Sequence, residues 1–197
     1  MRVRAALLVL MAGITVRVAA QWDIGVEINT THYRGSSRVV NDSSGPTTIR
    51  PANATAFGVR MDRAIGRTRL GVQVSYATVG LTAGSPGLTL TDNSSGEVLE
   101  GQVLLNFQVV GIGSSGAIRA EVGPSLHLWK GVDATRSRIG AIVASAYEWP
   151  VTRRLAGAIR LEGMLSQSWF EPGDLPPELE RQVTWRYGVG LGLRYRL

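Results

Sequence analysis

Ser125 and His127 stand two residues apart, with Glu121 four residues before Ser125. A serine activated by a histidine that an acid orients is the usual machinery of acyl transfer and hydrolysis. Side chains at i and i+2 leave an extended backbone on the same face, so the three could meet only on a strand. The same two-residue spacing recurs among charges. Arg60 precedes Asp62, Arg119 precedes Glu121 and Arg160 precedes Glu162. Opposite charges on one face suit buried pairing, because an unpaired buried ion costs several kcal/mol. Glu148 and Arg186 belong to the same face by parity and complete this set. The chain has no cysteine and two histidines, His32 and His127. Thiolate metal sites and disulfides are thereby excluded, and neither a dedicated metal site nor a cofactor is expected.

The elements that must hold these residues are strands. The closing stretch, Val183 to Leu197, places Val183, Trp185, Tyr187, Val189, Leu191, Leu193, Tyr195 and Leu197 on one face. Thr184, Arg186, Gly188, Gly190, Gly192, Arg194 and Arg196 fall on the other. Seven earlier stretches show the same period of two: Trp22–Thr30, Thr55–Arg63, Arg69–Val79, Val98–Val109, Ala117–Trp129, Ile139–Trp149 and Leu155–Trp169. Pro124 interrupts the fifth, where a missing N–H predicts a local irregularity. Leu104 and Met164 fall on the polar face by parity, and Gln167 on the apolar one. With 24 glycines and only 18% charged residues, the composition fits a β-rich chain with many turns. The expected connections alternate between long polar segments and short turns, and both ends of the strand series lie on the short-turn side.

Residues 1–20 are read apart from these strands. Arg2 and Arg4 precede an apolar run, and Val18 to Ala20 supply small residues before Gln21. This predicts a cleaved secretory signal peptide, with an uncleaved anchor as the alternative. Without Arg2, Arg4 and Arg17 the formal net charge falls from +6 to +3, and no nucleic-acid partner is expected.

Alternation alone leaves open which face looks outward. Three features point to a membrane barrel with its polar face inside. The polar face is rich in small residues, such as Gly71, Ala156, Ala158, Gly188 and Gly190, as suits the narrow interior of eight strands. Its charges come as opposite-sign neighbours. Aromatic residues gather near the strand ends, as interfacial girdles do: Trp22, Phe107, Trp149 and Tyr195 toward the short turns, Phe57, Tyr76, Trp169 and Trp185 toward the long loops. The expected fold is all-β: an eight-stranded antiparallel up-and-down transmembrane β-barrel over residues 21–197.

In this pattern the chain resembles the small eight-stranded outer-membrane barrels of the outer-membrane protein A and X type. Gly192, Tyr195 and Leu197 resemble the family's C-terminal assembly signal, with leucine where the family prefers phenylalanine. The resemblance implies export to the outer membrane of a Gram-negative cell envelope. It implies contact with periplasmic chaperones and the barrel-assembly machinery, and then with outer-membrane lipids and lipopolysaccharide, as a monomer. The expected function is non-catalytic, structural and loop-displaying. A narrow porin-like channel, a lipid A-modifying enzyme built on Ser125 and His127, and a soluble secreted ligand-binding barrel are the alternatives.

Overall fold

The computed structural model describes residues 21–39, 48–85, 87–113, 116–131, 135–171, 173–175, 177 and 179–197. The signal-peptide expectation for residues 1–20 lies outside them. The described strands are β1 (Trp22–Val39), β2 (Thr48–Pro51), β3 (Ala54–Ile65), β4 (Thr68–Ser85), β5 (Leu88–Ile112), β6 (Gly116–Gly131), β7 (Thr135–Pro150), β8 (Leu155–Ser166) and β9 (Leu179–Arg196). Eight of them run round a closed circuit in the order β4-β3-β1-β9-β8-β7-β6-β5, and β5 pairs back onto β4. Every pairing is antiparallel. The ninth, β2, is a short addition beside β4 above the barrel.

Closure is sealed by the first and last strands. They pair from Asp23 opposite Arg196 to Val39 opposite Leu179, with one register shift between Gly35 and Ser37. The N–H of Leu197 donates to the Trp22 carbonyl at 2.9 Å. No backbone edge is left along the circuit, which is what a hydrocarbon environment demands.

Side-chain parity sets the two surfaces. Val26, Ile28, Val59, Val74, Val103, Leu126, Val143, Leu161, Val189 and Leu191 are all exposed on the outside. Their neighbours at odd spacing, including Arg60, Glu121, Arg160 and Arg186, are buried. The largest apolar patch on a soluble monomer is about 300–600 Å². A belt round all eight staves far exceeds that and is at home against lipid. Spanning strands need about 9–11 residues, and these run from 12 to 25, so several project beyond the apolar belt.

That projection corrects the reading of the long connections. The polar segment after Val79 continues in the ladder, with Leu81 opposite Asp92 and Ser85 opposite Leu88. β1 likewise continues to Val39, and the Ser37 hydroxyl bridges both the N–H and the carbonyl of Ile49 at 2.8 Å. Above the belt the outer face leaves lipid and polar residues such as Ser36, Ser37 and Thr82 are buried within, so the backbone stays extended while the apolar alternation disappears.

The Pro124 irregularity takes a specific form. The β5–β6 ladder skips from Gln102 opposite Ser125 to Leu105 opposite Val122 without changing register. The shift in register comes later, between Gln108 and Val110. Beside Pro124, a Cβ on Gly123 would lie 1.8 Å from the Val103 carbonyl oxygen. Proline removes a donor here and glycine admits the neighbouring backbone. Leu104, Ile142 and Met164 pack together inside the barrel, filling the row that Gly123 leaves open. Gln167 lies just past the end of β8, where its N–H donates to the Ile139 carbonyl at 3.2 Å.

Candidate functional site

The lumen is where the chain gathers its chemistry. Its centre is Glu121 on β6. Arg60 from β3 approaches it to 2.8 Å, Arg160 from β8 to 2.9 Å and Arg194 from β9 to 3.5 Å. Asn106 donates to it at 2.7 Å. Arg60 and Arg160 also reach their strand neighbours, Asp62 at 2.8 Å and Glu162 at 2.5 Å. Arg160 bridges to Glu27 on β1 at 3.2 Å. That contact depends on β9: a Cβ on Gly190 would sit 3.0 Å from Glu27 Oε1, so glycine leaves the carboxylate its path. Toward the long loops, Arg186 binds Glu100 at 2.6 Å and Glu162 at 3.1 Å. One expected pair does not form. Arg119 turns away from Glu121 and donates to Glu148 on β7 at 2.8 Å, because Glu148 lies nearer the short-turn end while Glu121 is drawn across the lumen by Arg60 and Arg160.

The network fills the middle of the barrel. The void among Glu27, Gln73, Gln102 and Arg186 measures about 10 Å³, at the lower limit for one water. Buried charges bonded this way are costly to break singly, since removal of one partner strands the others.

Ser125 Oγ and His127 Nε2 are 3.1 Å apart, and both residues are buried. The nearby acid is Glu100, not Glu121: His127 Nδ1 lies 3.4 Å from Glu100 Oε2 but makes no hydrogen bond. Glu121 is engaged elsewhere by arginine. Gly140 presses on the serine, since a Cβ there would lie 2.8 Å from Ser125 Oγ. The histidine is thus not oriented by its acid, and the serine faces a packed wall. His32 stacks on Tyr187 at 5.1 Å between ring centres. Among the described residues no group of three or more His, Cys, Asp or Glu side chains could hold a metal ion.

The aromatic residues divide. Phe57, Tyr76, Phe107, Trp185 and Tyr195 are exposed on the outer surface. Phe57 and Tyr76 sit directly opposite each other on β3 and β4. Trp22 and Trp149 are half-buried, Trp22 beneath Arg63 at 5.6 Å and Trp149 beside Tyr147 at 5.8 Å. Trp169 departs from the outer position expected for it. It is 7% exposed and packs with Tyr33, Val79, Val98 and Trp129 in the long-loop mouth. β8 ends at Ser166, so parity no longer governs Trp169, and the chain folds inward. Its ring stacks on Trp129 at 4.2 Å. Arg138 fastens the turn, donating to the carbonyls of Ser168 at 2.5 Å and Trp169 at 2.9 Å. In the closing strand, Gly192 faces the lumen side opposite Glu27, while Tyr195 and Leu197 point outward.

A closed antiparallel barrel with an apolar exterior and a salt-bridged lumen has the fold of the small outer-membrane barrels. No protein-family model and no curated protein sequence matches the chain. Among solved structures it is similar to neisserial surface protein A, with a TM-score of 0.61, 11% identity, and coverage of 89% of this chain and 97% of that one. It is also similar to the attachment invasion locus protein Ail of Yersinia pestis, with 10% identity and a TM-score of 0.43 over 89% of this chain and 99% of that one. The outer-membrane protease OmpT from Escherichia coli gives 8% identity and a TM-score of 0.41 over 90% of this chain and 97% of that one. At these identities the likeness to neisserial surface protein A establishes a common fold.

Proposed function

We propose that the protein is an integral, non-catalytic barrel of the bacterial outer membrane, reached by secretory export, that displays its long extensions on one side and conducts no ions. The observation that carries this reading is the inversion of its surfaces: an exposed apolar belt encloses a lumen of mutually bonded charges. Such an object is insoluble in water and needs a bilayer, or a detergent micelle in its place, around the apolar belt. The ion pairs across the lumen support a plug rather than a path, and the Ser125 and His127 geometry supports a hydrogen-bonded pair rather than an active site.

Membrane fractionation with gel electrophoresis of boiled and unboiled samples tests it. The mature chain is expected in the outer-membrane fraction, migrating differently before and after heating, and silent in a planar bilayer. A water-soluble refolded chain would sink the membrane assignment. Steady conductance altered by Glu162→Ala would favour the channel. A change in lipid A mass that Ser125→Ala abolishes would favour the enzyme.

A further inference from the structure

The lumen charge is unevenly distributed along the barrel axis. In the middle, Glu27, Glu100, Glu121 and Glu162 outnumber the guanidiniums of Arg60, Arg160 and Arg186 that bind them, while Asp62, opposite Asp23 in the β1–β3 register and so nearer the short turns, is taken up by Arg60. At the short-turn mouth the balance reverses. Arg69 at 3.2 Å and Arg119 at 2.8 Å share one carboxylate, Glu148, which Arg194 also binds. A second acid there, Asp23, lies 3.5 Å from Arg69 and 3.7 Å from Arg196. Four guanidiniums therefore share two carboxylates, with only a 3.5 Å contribution from Glu121 to Arg194. The side chains of Arg69, Arg119 and Arg194 are 11%, 9% and 7% exposed, so little water screens them.

These residues floor a cavity of about 770 Å³ that opens at the short-turn end. The β7–β8 turn walls one side and is itself stiff. The N–H groups of Val151 and Thr152 donate to the Leu155 carbonyl at 2.8 and 2.9 Å. The Thr152 hydroxyl accepts from the N–H groups of Arg154 and Leu155. The Arg154 carbonyl accepts from Arg196 N–H at 2.8 Å. The turn thereby presents Arg153 and Arg154, both exposed, at the rim of the same cavity.

We propose that this mouth binds a phosphate group, either on a soluble phosphorylated compound or on a lipid headgroup at that level of the bilayer. Under-compensated and poorly solvated cations favour an anionic partner. Guanidinium forks match the paired oxygens of phosphate. The fixed floor arginines are arranged before the ligand arrives, which lowers the entropic cost of binding. The volume falls within the usual span of small-ligand sites, about 300–1,000 Å³, and exceeds what a bare ion needs.

The test uses the mature barrel refolded in neutral maltoside micelles, with pyrophosphate as the soluble probe in calorimetric titration. Nanodiscs of phosphatidylcholine with or without phosphatidylglycerol, read by native mass spectrometry, supply the lipid arm. Pyrophosphate is expected to saturate one site. The exposed double variant Arg153→Ala/Arg154→Ala is expected to weaken it about tenfold or more while keeping its heat-modifiable migration. Saturable pyrophosphate binding without lipid retention assigns the site to a soluble phosphate. Retained phosphatidylglycerol that pyrophosphate displaces assigns it to a headgroup. The proposal is overturned if neither probe binds saturably, or if the folded double variant binds as tightly as the parent.

Discussion

Glu121 on β6 and Arg160 on β8 meet at 2.9 Å inside the lumen, with β7 lying between their strands in the wall. Arg60 completes the contact from β3, further round the barrel. The carboxylate therefore ties together strands that share no backbone hydrogen bonds. Replacing it with alanine leaves two buried guanidiniums without their common partner. Glu121→Ala is expected to destabilise the barrel by about 3–5 kcal/mol, read from urea unfolding in micelles. The control, Glu180→Gln, breaks an exposed pair with Arg38 and should cost about 1 kcal/mol or less. Equal effects from the two would refute the central role of Glu121.

Gly123→Ala places a methyl group where the Val103 carbonyl already stands. Backbone cannot swing aside as a side chain does, so the strands must separate locally. A loss of about 1–3 kcal/mol or more is expected, visible as a lower urea midpoint and a smaller heat-resistant fraction. Gly173→Ala gives a contrast of another kind, because open space surrounds that loop residue and its φ of +97° is the source of any strain.

Trp169→Ala removes the ring stacked on Trp129 and empties part of the long-loop mouth. Its cost is expected near 3–5 kcal/mol, as for other buried tryptophans. Iodide should quench the remaining tryptophan fluorescence more strongly as Trp129 becomes wet. Conductance should stay absent, since the network of Glu100, Glu162 and Arg186 lies deeper. An open channel in this variant would show that the aromatic layer, rather than the ion pairs, seals the barrel.

On acidification the loop after β8 should loosen as Asp174 takes up its proton. Partial burial pushes its carboxyl up, but the Glu171 N–H and the Arg136 guanidinium outweigh that and hold it below its ordinary value of 3.8. The Glu171 N–H donates to Asp174 at 2.6 Å and Arg136 reaches it at 2.5 Å. A carboxyl lowered by folding contributes stability that is complete above 3.8 and is lost as pH falls through its folded value. Amide exchange at Glu171 is expected to stay protected to about pH 4 and to rise below it, whereas Arg136→Gln should move that rise upward.

The staves were legible because each is bounded by two different media. Val183 to Leu197 alternates since one side meets lipid and the other a crowded polar interior. Where the outer side no longer meets lipid, as beyond Val79 on β4, an extended strand looks like a loop. Parity predicts which face Arg119 occupies but not which neighbour it will touch. Glu148 is distant in sequence and adjacent in the barrel, so the pairing needed the register. The proximity of Glu100 to His127 was hidden for the same reason. Trp169 was misplaced because parity was carried three residues past the end of its strand.

The β1–β9 seam has a consequence for how the barrel comes into being. Its contacts join the two extremes of the described chain, from Asp23 to Arg196. Such maximal separation makes closure a late, entropically expensive event. Any partly assembled sheet presents two unsatisfied rims, each able to recruit a foreign strand. Those rims vanish together only when the first and last segments have found one another.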